Sequence, residues 1–121
     1  MKVIKIFTIC VVVMSMYGCA TPADLRKQPP EMDLSSSYPA KKVAVCIADI
    51  WESSGALSST VPISMRPTTD GYSVMYQNTM SGISSMMIVD VHDTKTGSRT
   101  SYRAINVLGD GPFKQAVTEC Q

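Results

Sequence analysis

Residues 39–53 read PAKKVAVCIADIWES. Val43, Cys46, Ile47, Ile50 and Trp51 recur at i, i+3, i+4, i+7 and i+8, which puts them on one stripe of a helix. Pro39 suits the first helical position, where its fixed φ is already helical and its missing N–H is not needed. Gly55 is a natural stop. The same spacing returns near the C-terminus. After the breaker Gly109-Asp110-Gly111-Pro112, the residues Phe113, Ala116, Val117 and Cys120 fall at i, i+3, i+4 and i+7. Each helix therefore turns one cysteine toward its apolar face.

Between the helices the period changes to two. Val61, Ile63 and Met65 alternate with other residues, and Pro62 and Pro67 mark that strand as short or at an edge. Thr68-Thr69-Asp70-Gly71 is a hairpin turn signal. Tyr72, Val74 and Tyr76 form a second alternating set, and Met87, Val89 and Val91 a third. The polar stretch 77–85 reads as a loop. Asp93-Thr94-Lys95-Thr96-Gly97-Ser98 reads as a longer hairpin turn, followed by strand residues Thr100 and Tyr102. The expected fold is α+β: a helix, an antiparallel sheet of three or four strands, and a helix. Both helices pack on one sheet face.

The first residues have a different purpose. Lys2 and Lys5 precede an eleven-residue apolar run, IFTICVVVMSM, from Ile6 to Met16. This is the length of a signal-peptide core and too short to span a bilayer as a helix. The segment ends Met16-Tyr17-Gly18-Cys19, which resembles the lipobox of bacterial lipoproteins. Gly18 and Cys19 fit that pattern, while Met16 and Tyr17 stand where Leu and a smaller residue are usual. The resemblance implies cleavage after residue 18 and covalent lipid on Cys19. Ordinary secretory cleavage nearby is the other reading of the segment. Ala20 follows the cysteine where an Asp would resemble an inner-membrane retention signal, so the resemblance implies the outer membrane, facing the periplasm. The chain is thereby divided into a signal peptide (1–18), a lipidated cysteine with a flexible tether (19–38) and a small domain (39–121). The tether reading rests on its three prolines, mixed charges and serine run. The overall pattern resembles small gram-negative envelope lipoproteins.

Of the four cysteines in 121 residues, Cys10 leaves with the signal and Cys19 carries lipid. Cys46 and Cys120 remain, and in an oxidising compartment such a pair reads as a disulfide. It joins the two apolar helix faces and closes a loop worth roughly 4 kcal/mol in the chain-entropy model. A domain of this size gains much from such a staple.

Little in the sequence points to catalysis. Formal net charge is +1, so no basic field calls for nucleic acid. The only histidine, His92, shares a strand face with Asp90, but no third ligand or nucleophile accompanies them. No Cys-x-x-Cys, Gly-x-Ser-x-Gly or Ser-x-x-Lys is present. The expectation is a protein that is not an enzyme and carries no cofactor beyond its lipid. Tyr72 and Tyr76, with Ile63 on the edge strand, are the candidate interaction surface for another envelope protein. A second expectation is a small inhibitor or ligand binder, of the kind seen in periplasmic lysozyme inhibitors. A third is copper or other metal handling, since thioethers bind Cu(I) and Met75, Met80, Met86 and His92 are its weak candidate ligands.

Overall fold

In the computed structural model, residues 21–54, 63–80 and 82–121 are described. The segment expected to be a signal peptide, Cys19, the expected helix stop Gly55, and Val61 and Pro62 of the expected edge strand lie outside these. The elements run α1 (Pro22–Arg26), β1 (Met32–Ser36), α2 (Ala40–Ser53), β2 (Ser64–Pro67), β3 (Gly71–Met80), β4 (Ile83–Thr94), β5 (Gly97–Ile105) and α3 (Gly111–Glu119).

The helix read from residues 39–53 forms as expected, with Pro39 as its cap rather than its first residue. Proline offers no side-chain acceptor for the free N–H groups of a helix start. The acceptor comes from elsewhere: the Ala40 amide donates to Asp93 Oδ1, 2.8 Å away near the end of β4. The stripe of α2 is buried through Val43, Ile47 and Trp51. It packs on Val74, Met87, Val89, Val91 and Tyr102 of the sheet, and Phe113, Ala116 and Val117 of α3 join the same core. Both helices thus cover one sheet face. Trp51 anchors the junction. Its ring meets Tyr102 and Phe113 edge-on, at 6.4 and 5.9 Å. Its indole N–H donates to the Phe113 carbonyl. Cys46 and Cys120 form the expected disulfide, joining helices 74 residues apart.

The sheet has five strands rather than three or four, all antiparallel, in the order β1-β5-β4-β3-β2. Two corrections follow, of which only the second adds a strand. Residues 77–85, expected as a polar loop, extend β3 and β4, with Gly82 at φ 78° in the turn. Both faces of this hairpin end meet solvent, so its polar residues pair through the backbone without an apolar face; the Thr79 and Ser84 hydroxyls lie 3.3 Å apart across it.

The second correction concerns the tether. Within 19–38, Met32–Ser36 is an edge strand in register with β5, Met32 opposite Tyr102 and Ser36 opposite Ser98. Met32 and Leu34 pack against the main core from that edge. Gly97 permits the pairing: its φ is 154°, and a Cβ there would stand 2.0 Å from the Ser36 carbonyl oxygen. Before the strand, Thr21 opens α1 with a capping box, its hydroxyl accepting from the Asp24 amide while Asp24 Oδ2 accepts from the Thr21 amide. Residues 21–36, expected within the tether, therefore contribute a helix and a paired strand to the fold.

Candidate functional site

The short helix α1 lies on the sheet face that α2 and α3 leave open. Side chains alternate along β4, so while Val89 and Val91 enter the main core, Met86, Ile88, Asp90 and His92 point the other way. Leu25 of α1 covers Met86 and Ile88, and Met75 and Ile105 flank this second, smaller core. Leu25 is only 2% exposed.

Next along the same face is an ionic cluster. Arg26 donates from Nε to Asp90 Oδ2 at 3.0 Å and from Nη2 to Asp90 Oδ1 at 3.2 Å, and it also reaches the Ser73 hydroxyl at 2.9 Å. The forked guanidinium thus grips one buried carboxylate with both of its forward donors. Arg103 lies 3.9 Å from the same carboxylate. Its Nε donates to the Gln28 carbonyl, and its Nη1 to the Ser101 hydroxyl. Asp90 thereby pins α1 and the chain after it to the sheet, and its own burial is compensated by two cations. Arg66, from β2, completes the surroundings, and its side chain makes no ion pair or hydrogen bond among the described residues. Between these groups is an open groove of about 340 Å³, lined also by Thr68, His92 and Ser101. Three guanidiniums face one carboxylate there, and a planar guanidinium suits phosphate or carboxylate oxygens.

At the rim of the groove His92 Nδ1 lies 2.9 Å from Asp70 Oδ1. That contact holds the Asp70 carboxyl below its ordinary range. Arg99 and Asp33, one strand further, make a bidentate pair at 2.7 and 2.6 Å. The Arg99 hydrogen bonds lower Asp33 in the same way.

A second concavity, of about 250 Å³, opens where the strand ends meet the start of α3. Tyr76, Met87 and Phe113 supply its apolar wall, and the turn from Asn106 to Gly109 its edge. Asn106 and Gly109 both have positive φ, 54° and 70°. Leu108 between them is 98% exposed. The last strand, β5, stops short of this turn. It ends at Ile105 because Asn106 turns left-handed, with its side-chain amide donating to the Ser84 carbonyl and its own carbonyl accepting from the Ser85 hydroxyl.

The residues singled out from sequence are dispersed. Tyr72 and Tyr76 lie half-buried on the helix-covered face, and Ile63 packs beside them at the edge of the same core. They form no open aromatic sheet face; Tyr76 reaches the second concavity. Met75 and Met86 belong to the small core under Leu25, with Met86 fully buried. His92 is six residues from Met86 on one strand, roughly 20 Å at strand rise, so the two do not meet on one ion. The side chain of Met80 lies outside the described residues. Among the described residues no group of three or more His, Cys, Asp and Glu is placed to hold a metal. Asp90 was noted only as a neighbour of His92; its real partners are Arg26, 64 residues away, and Arg103. No spacing in the sequence signals such a pairing. Comparisons with protein-family models, with curated proteins and with solved structures find no match.

Proposed function

We propose that the protein is a lipid-anchored envelope protein, acylated at Cys19 and held at the periplasmic side of the outer membrane, whose domain is a non-enzymatic module for binding another envelope protein. The targeting half of this reading rests on Met16-Tyr17-Gly18-Cys19 behind an apolar run of signal-peptide length. More than one acyl chain gives stable anchoring.

The binding half is carried by one observation. Leu108 is almost wholly exposed on a short turn, beside an open concavity walled by Tyr76, Met87 and Phe113. A leucine held out in water gains from burial, and an aromatic-lined hollow next to it adds contact area for a protein surface. An anchor raises the local concentration of such a module near a membrane partner. Two measurements test the reading. Cys19→Ala abolishes metabolic acyl labelling; retained label would sink the lipoprotein assignment. A photoreactive residue at position 108 or 76, in living cells, cross-links to one dominant envelope protein, while position 52 on the outer side of α2 does not. Equal, diffuse adducts from all three positions would reject the binding surface.

A further inference from the structure

We propose that the sheet face carrying α1 is the membrane-facing side of the anchored domain, and that the groove between Arg26, Arg66 and Arg103 receives the phosphate of an anionic phospholipid. This rests on the reading of Cys19 as the lipidated residue.

The first argument is reach. Cys19 stands three residues before Pro22, the start of α1. Three extended residues span at most about 10 Å. The five residues of α1 add about 7.5 Å. A tether of nineteen residues would let the domain range widely; three residues limit how far it can stand from Cys19. Arg26, at the end of α1, is therefore held within a short distance of the acyl chains. Packing places α1, the first described element after Cys19, on one face. Leu25 and Arg26 fix α1 to the face of Met86, Ile88 and Asp90, whereas the opposite face is covered by α2 and α3.

The second argument is charge. The groove has three guanidiniums and one carboxylate. Asp90 is already engaged by Arg26 and Arg103, and the Arg66 side chain has no partner among the described residues. Lys27, at the end of α1, is highly exposed and lies only 3.8 Å from Asp24 in a loose surface pair. Anionic lipid attracts cations within a Debye length, about 8 Å at physiological ionic strength. The short link keeps these cations near that layer. The third argument is shape. The groove is open and about 340 Å³, with two hydroxyl-bearing residues, Thr68 and Ser101, beside the arginines. Arginine forks and hydroxyls match phosphate oxygens.

The test uses the acylated chain reconstituted in vesicles of phosphatidylcholine alone or with phosphatidylglycerol. A photoreactive residue replaces Thr68 at the groove rim or, as control, Glu52 on α2, and lipid adducts are read by mass spectrometry. Position 68 is expected to yield phosphatidylglycerol adducts well above position 52. Arg66→Glu should lower them by about tenfold, from the loss of one cation and the gain of one anion near the surface, and Arg66→Lys should largely retain them. Equal adducts at 68 and 52 on a chain that carries acyl groups would overturn the orientation. Adducts at 68 that ignore phosphatidylglycerol or Arg66→Glu would overturn the headgroup site. Suppression by millimolar inorganic phosphate would assign the groove to free phosphate and overturn the lipid occupant. A chain without acyl groups on Cys19 fails the earlier reading instead, and the mass of the reconstituted protein separates that failure from the others.

Discussion

Leu25→Ala probes the least expected contact in the molecule. A five-residue helix has no stability of its own, because nucleation alone outweighs its few hydrogen bonds. Its place on the sheet must come from Leu25 over Met86 and Ile88 and from Arg26 on Asp90. Leu25 is 2% exposed, so nearly the whole side chain is at stake. Full burial of a leucine contributes roughly 1.5–3 kcal/mol, and truncation in a closed core costs 2.7–5 kcal/mol in a reference series. The small core here lies at the domain surface and can partly collapse. The expected loss is therefore near the lower end, about 2–3 kcal/mol. If α1 instead lifts away, Met86 and Ile88, both fully buried, meet water, and the loss remains of that order. Urea denaturation of wild type and variant measures the difference, and hydrogen exchange of the 21–36 backbone amides reports whether α1 and β1 loosen together. A variant within about 0.5 kcal/mol of wild type, a change usual for surface positions, with unchanged exchange, would refute the docking of α1.

Removing the disulfide with Cys46→Ala and Cys120→Ala together should lower stability by up to about 4.5 kcal/mol, the chain-entropy value for a loop of this length; a change in melting temperature too small to resolve would show that the staple is dispensable. Gly97→Ala should unpair β1, because a Cβ there meets the Ser36 backbone; loss of amide protection at 32–36 is the expected signal, and full protection would count against the register. Asp33 and Asp70 are held below 3.8, by hydrogen bonds from Arg99 and His92 respectively. Both are exposed, so their contribution is small; it is present above that value and is lost as pH falls through the lowered folded values, and a slight drop in melting temperature below about pH 4 is the expected signal, with no drop counting against the pairs. At the other end, burial and then the hydrogen bond to Asp110 push the Tyr102 phenol well above its ordinary 10.0. The unfolded phenol ionises first, so stability is present below pH 10.0 and falls as pH rises past it. Tyr102→Phe should flatten that alkaline decline; an identical decline in the variant would exclude Tyr102 as its source.

The helices at 40–53 and 111–119, the alternating strands under them and the Cys46–Cys120 pair are all legible in the chain before it folds. Each is written in a short-range period. Residues 3.6 apart share a helix stripe and residues two apart share a strand face, so one apolar face is visible in a dozen residues. When two such stripes each carry a cysteine, the partner is implied as well. The candidate ligands Met75 and Met86 show where this ends. Their phase, opposite that of Val74 and Val89, puts them on the other side of the sheet, but nothing local shows that this side is covered.

That cover becomes visible only once the chain is folded. Residues 22–26 hold one buried apolar side chain, Leu25, and Met32–Ser36 alternates too weakly to stand out from a proline-rich linker. Their order comes from partners distant in sequence: backbone pairing with β5, the cleft between Met86 and Ile88, and the Arg26–Asp90 pair across 64 residues. Such contacts depend on closing long loops, which no local pattern records. The same holds for the arginine groove. Arg26, Arg66 and Arg103 come from a short helix and two different strands, and three scattered cations in a nearly neutral chain become a common field only after the sheet has brought them to one face.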